Sequence, residues 1–150
     1  MEKIANELKT FIEKYREALL AIPENRMVAK SAPGKWSKKE MMGHLVDSAQ
    51  NNIRRFIVTQ FEEKPHIEYN QDNWVTAAGY QAYDTPELIQ LWYLLNLQIV
   101  RILENMSKET ALRYCNTKEL HTLEWLATDY IKHLRHHLHE VLELEAVAYP

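Results

Sequence analysis

The chain has 150 residues, a formal net charge of −3 with histidine neutral, and 46% hydrophobic residues. That is the length of one domain, expected to span residues 1–150, and it can bury about 68–70% of its unfolded surface without a staple. With 3 Gly, 5 Pro and 18 Leu the mix disfavours an all-β sandwich and excludes disorder, and the acidic balance leaves no footprint for nucleic acid.

The first helix is predicted over Glu2–Ala21. Ile4, Leu8, Phe11, Ile12, Tyr15 and Leu19 recur at three- and four-residue steps, and Pro23 stops the run. Residues 24–35 hold Pro33 and Gly34 and read as a loop. The second helix has a clear start. In Ser37-Lys38-Lys39-Glu40 the serine hydroxyl can accept from the amide of Glu40 while the Glu40 carboxylate returns to the amide of Ser37. This helix is predicted to continue to about Glu63, before Pro65.

Residues 65–84 are irregular, with a helical turn expected around Trp74–Gly79. Trp74, Tyr80 and Tyr83 are large for a solvated linker, so all three are expected to pack on one end of the bundle near the site. The third helix starts at Asp84-Thr85-Pro86-Glu87 and runs to about Asn105. Residues 107–114 suggest a short helix and 117–121 a loop, and Cys115, between them, is also read as loop. The fourth helix is predicted over Thr122–Ala146. Four amphipathic helices of about 20–25 residues make an all-α four-helix bundle, with a long crossover connection between helices two and three.

The chemistry concentrates in the last helix, Tyr130-Ile-Lys-His133-Leu-Arg-His136-His137-Leu-His139-Glu140. His133 and His137 are four residues apart and project into the apolar stripe with Leu126, Tyr130 and Val141, whereas His136 and His139 lie off it. Two imidazoles on successive turns can hold one divalent ion, and His44, beside Met41, Leu45 and Ser48 on helix two, is the best third ligand. Three neutral imidazoles with an open position describe a catalytic rather than a closed structural centre. The alternative is that each histidine is an ordinary core or surface residue. Ser48, Asn51 and Arg55 share the His44 side of helix two and are candidate pocket residues. Asp129, one turn before His133, is placed to accept that ring's free N–H.

Other signatures are missing. His139-Glu140 is not followed by the spacing of a zincin helix, and no phosphate-binding glycine loop or serine elbow is present. The single Cys115 excludes an internal disulfide and a multi-cysteine zinc site. The N-terminus has no apolar leader, and the longest apolar stretch, Leu88–Val100, contains Gln90, Asn96 and Gln98 and falls short of the ~20 residues a membrane span needs. A cytoplasmic protein acting on a small molecule is expected, with neither nucleic acid nor membrane as partner.

Trp36-Ser37-Lys38-Lys39-Glu40 followed by His44-Leu45-Val46-Asp47-Ser48 through Phe56 resembles the second helix of the DinB-like (YfiT-like) family. Asn73-Trp74 with Tyr80 resembles that family's crossover, and Thr122-Leu123 through His137 resembles its last helix. The resemblance implies a four-helix bundle with a metal, usually zinc or nickel, held by His44, His133 and His137. It also implies a homodimer and one of two activities: metal-dependent hydrolysis, or transfer to a low-molecular-weight thiol of the bacillithiol or mycothiol type. Glu140 stands where related sequences often have Gln, a carboxylate that either adds charge near the site or faces water. A non-enzymatic binding or stress-response module with a structural or adventitious metal is the alternative. No residue is assigned as the catalytic acid or base.

Overall fold

The computed structural model describes residues 1–149. In chain order it contains α1 (Glu2–Leu20), α2 (Glu24–Val28), α3 (Lys38–Val58), α4 (Gln71–Ala78), a 3-10 turn (Tyr80–Ala82), α5 (Thr85–Glu104), α6 (Lys108–Ala111), β1 (Tyr114–Asn116), β2 (Leu120–Thr122) and α7 (Leu123–Val141). The long helices α1, α3, α5 and α7 form the four-helix bundle. Their principal contacts run α1 to α5, α5 to α3, α3 to α7 and α7 back to α1. Helices α1 and α3, neighbours in sequence, therefore share no principal interface, so the order is not simple up-down-up-down.

Local chemistry explains most of the boundaries. Ser37 and Glu40 form both halves of the capping box that opens α3, and Asn70, Asp84, Ser107 and Thr122 cap the later helices through their side-chain oxygens. Pro86 lies in the first turn of α5, where no backbone donor is lost. In α1 the buried positions Ala5, Leu8, Phe11, Ile12, Tyr15 and Leu19 trace the predicted stripe. Trp92 of α5 and Phe56 of α3 are the bulkiest fully buried side chains in the core.

Several boundaries differ from expectation, each for a long-range reason. The loop after α1 contains α2, whose Glu24 takes an ion pair from the buried Lys39 ammonium at 2.5 Å. Helix α3 ends at Val58 rather than Glu63, because Arg113 reaches across to the carbonyls of Thr59 at 2.6 Å and Glu62 at 2.9 Å and holds them in a turn. Helix α7 ends at Val141 rather than Ala146. Glu143 adopts φ 57° while its carboxylate meets Arg26 and Lys38. Left-handed backbone is uncommon for a non-glycine residue, and these two cations help to offset its cost. Residues 114–122 form an antiparallel hairpin instead of a loop, pairing Cys115 with His121, and Cys115 is fully buried in β1.

The long connection carries α4 in place of a single helical turn. Its aromatics divide. Tyr80 is buried against α3, where it lies so close that a Cβ added to Gly43 would meet the Tyr80 ring at 2.0 Å. Trp74 and Tyr83 remain 38% and 41% exposed, contrary to the expectation that all three would pack inward. Among the described residues no helix is long and apolar enough to cross a membrane.

Candidate metal centre

Helix α3 brings His44 to its interface with α7, one turn before Ser48, and α7 presents His133 and His137 from two successive turns. The three rings meet. His44 Nε2 and His133 Nε2 are 3.0 Å apart, and one nitrogen from each of the three rings lies within 4.8 Å of the others. The rings stand edge to face at centroid separations of 4.6–5.0 Å. Trp36, just before the α3 cap, packs on the outer side of His44 at 5.1 Å.

Burial keeps these rings neutral. It pushes His44 and His137 down to about 4, and pushes His133 well below the ordinary imidazole range, with the neighbouring His137 and His44 adding to the effect. One N–H can join the facing nitrogens of His44 and His133, but it serves only one lone pair, so three neutral imidazoles turned to a common point are not all satisfied by one another. A cation accepts all the lone pairs at once, so the donor set fits a divalent transition-metal ion.

A ring that gives one nitrogen to an ion carries its proton on the other. His133 Nδ1 faces Ser48 Oγ at 3.5 Å. His137 Nδ1 lies 4.0 Å from a Glu140 carboxylate oxygen, and neither His137 Nδ1 nor His44 Nδ1 has a hydrogen-bond partner among the described residues. Glu140 is largely exposed and stays outside the three-histidine cluster. With His136 and His137 it forms a second, shallower grouping.

The cluster borders a cavity of about 690 Å³, whose wall includes Ser48, Asn52, Arg55, Tyr69, Asp129 and Tyr149. Ser48, Arg55 and Asp129, read from the sequence as pocket candidates, lie at this wall. Asn51 does not. Its amide donates back to the Asp47 carbonyl at 2.9 Å, and Asn52 takes the wall position because the cavity follows the ridge of four-residue steps from His44 through Ser48. Asp129 makes no hydrogen bond to His133 and instead accepts from the Tyr149 hydroxyl at 2.8 Å. Residues 142–149 return over α7, with His136 Nδ1 donating to the Val147 carbonyl at 2.6 Å and the Tyr149 ring edge-on to His133. Tyr69, Lys118 and Tyr149 have no helical spacing to reveal them, because loops carry them to the wall.

Residues 7–141 match the family model described as DinB superfamily. The chain belongs to the DinB superfamily. Among DinB relatives, it is 25% identical over 135 residues to the Bacillus subtilis protein named "Putative metal-dependent hydrolase YfiT", covering 87% of this chain and 76% of that one. A Bacillus licheniformis homologue of the same description is 25% identical over 142 residues, covering 92% and 81% of the two chains. The solved structure of YfiT from Bacillus subtilis, described as a probable metal-dependent hydrolase with an unusual four-helix bundle topology, superposes with a TM-score of 0.85 at 23% identity over 94% of this chain and 83% of that one. The DinB fold is therefore shared across nearly the whole chain.

Proposed function

We propose that the protein is a metal-dependent hydrolase acting on a small molecule in the cavity beside His44, His133 and His137. The observation that carries this reading is the convergence of three neutral imidazoles, contributed by two helices, at the wall of a polar cavity. The names of its relatives support it. A divalent ion, zinc or nickel, would supply Lewis-acid polarisation and a nucleophile available at neutral pH.

The protein's own groups do the rest. His44, His133 and His137 would hold the ion through one nitrogen each, and among the described residues no fourth protein ligand joins them in that group. Ser48 Oγ takes the outer proton of His133 and fixes that ring's orientation. Leu126 and Tyr130 form the apolar side of the cavity, while Tyr149 and its bond to Asp129 narrow access for water. We take the active species to be a homodimer that covers the exposed Trp74 and Tyr83, which light scattering checks.

Elemental analysis of untagged protein, followed by turnover of ester and thiol-plus-electrophile panels before and after chelation, tests the assignment. The expected result is about one ion per chain and ester hydrolysis that chelation abolishes and zinc or nickel restores. An ion bound no tighter than micromolar, with a metal-free form of undiminished stability and no turnover, would overturn it in favour of a binding module.

A further inference from the structure

The cavity wall holds a guanidinium that makes no ion pair among the described residues. Arg55, near the C-terminal end of α3, is half-buried and lines the same wall as the histidines. Its Nε and Nη2 donate to the Ile67 carbonyl at 3.2 and 3.1 Å, and Nη1 donates to the Asn52 side-chain oxygen at 3.4 Å. The guanidinium lies 6.0 Å from the Tyr69 ring centroid. All these partners are neutral. A guanidinium has five N–H groups, so one on each terminal nitrogen is left without an acceptor among the described residues. Among them no carboxylate lies within 4.0 Å of it. The other cation of the wall, Lys118, already faces Glu68 at 3.7 Å.

Withdrawing a charge from water without a counter-ion is costly, and a guanidinium's free pair of N–H groups matches the two oxygens of a carboxylate or phosphate. Among the described residues Asp129 is the only carboxylate lining the cavity, and Tyr149 occupies one of its oxygens. Lys118 is matched by Glu68 and Asp129 is engaged by Tyr149, so the free N–H groups of Arg55 are the wall's open donors for an anion. Spacing adds a length. His133 sits beside Ser48, and Arg55 lies seven residues further along α3, about 10 Å of helix.

We propose that Arg55 is the anion-binding residue of this site, and that the substrate is a small molecule bearing a carboxylate or phosphate a few atoms from its hydrolysed bond. The proposal rests on reading the cavity as a substrate site. Arg55 fixes one end of the substrate, and the scissile group extends toward the histidines.

The test uses zinc-loaded and metal-free protein, with metal content measured first. Calorimetric titration at constant ionic strength compares succinate and inorganic phosphate with neutral succinamide. Both forms of the wild type are expected to bind at least one anion about tenfold or more tighter than succinamide, and the tighter anion names the substrate's charged group. Arg55→Met should weaken that anion by about 10–100-fold and leave succinamide unchanged, with Arg55→Lys intermediate. Equal binding of anions and succinamide by wild type, or an Arg55→Met loss that falls on both alike, overturns the proposal. Because Arg55 also holds the Ile67 carbonyl, thermal melts accompany both variants. Should Arg55→Met fail to fold, the wild-type comparison and Arg55→Lys decide. In parallel, 4-nitrophenyl acetate and mono-4-nitrophenyl glutarate are offered to the zinc form. If neither is hydrolysed while succinate binding depends on Arg55, the hydrolase reading falls and the anion site stands. If both are hydrolysed equally and wild type does not prefer an anion, the reverse holds.

Discussion

Helix α3 carries two buried polar groups of opposite design, three residues apart. His44 faces α7 and a cavity, and its partners are other histidines with nitrogens to spare. Asp47 faces the 3-10 turn, where the Tyr80 hydroxyl donates to its Oδ1 at 2.5 Å while Oδ2 is buried without a partner. The Tyr80 ring also closes over Gly43 with no room left. One cluster leaves space for a ligand, and the other is sealed by the protein itself. Burial of a polar group therefore does not by itself single out a candidate site in this molecule; side chains with nitrogens to spare that open onto a cavity do.

The difference can be broken at either end. The largest effect is expected at the histidines. His137→Ala should weaken metal binding by more than ~100-fold and abolish turnover, a larger loss than removal of an outer-sphere partner gives. The circular dichroism should stay helical, because Leu126, Tyr130, Leu134, Leu138 and Val141 still anchor α7. Metal titration of the variant checks this.

Next comes the sealed side. Gly43→Ala should cost about 1–3 kcal/mol, since the Tyr80 ring must move, and should lower the melting temperature by several degrees. Its metal stoichiometry should not change. Adding Tyr80→Leu should recover part of the loss if crowding is the cause.

Acid titration of metal-free protein sharpens the contrast through sign. Burial raises the Asp47 carboxyl from 3.8 to about 6, with the Tyr80 hydrogen bond opposing. The folded state then keeps a proton that the unfolded chain has lost, so this group makes stability fall as pH rises from about 4 to about 6. Burial lowers His44 and His137 from 6.5 to about 4, so the unfolded chain takes protons first and stability falls as pH drops through that interval. Asp47→Asn should remove the first slope and His137→Ala part of the second, measured by urea midpoints across pH.

The smallest effect is expected at His136. Its Nδ1 is committed to the Val147 carbonyl and it stands outside the three-ring cluster, so His136→Ala should alter metal affinity by only a few-fold.

Much of this was legible in the sequence, for identifiable reasons. The α3 capping box and the α1 apolar stripe are local signals, and local signals survive folding. The meeting of His44, His133 and His137 followed from helical phase on two helices together with the family resemblance. What escaped was set by distant chain. Arg113 ends α3 from beyond α6, and Lys38 and Arg26 hold the turn after α7. Asn52 rather than Asn51 reaches the cavity because α7 packs at one angle and not another, and periodicity alone does not supply that angle. Tyr69 and Tyr149 arrive on irregular backbone, where no period exists to read.

The order of the helices around the bundle gives the metal centre a mechanical meaning. His44 and His133 are 89 residues apart in sequence, and the intervening chain includes all of α5 and the hairpin. An ion gripping both is a reversible cross-link that closes most of the chain into a ring, and the closure entropy removed from the unfolded state grows with the logarithm of ring size. Resistance to heat and proteolysis would then rise with free metal concentration by mass action, and the stability of the bundle would report metal supply.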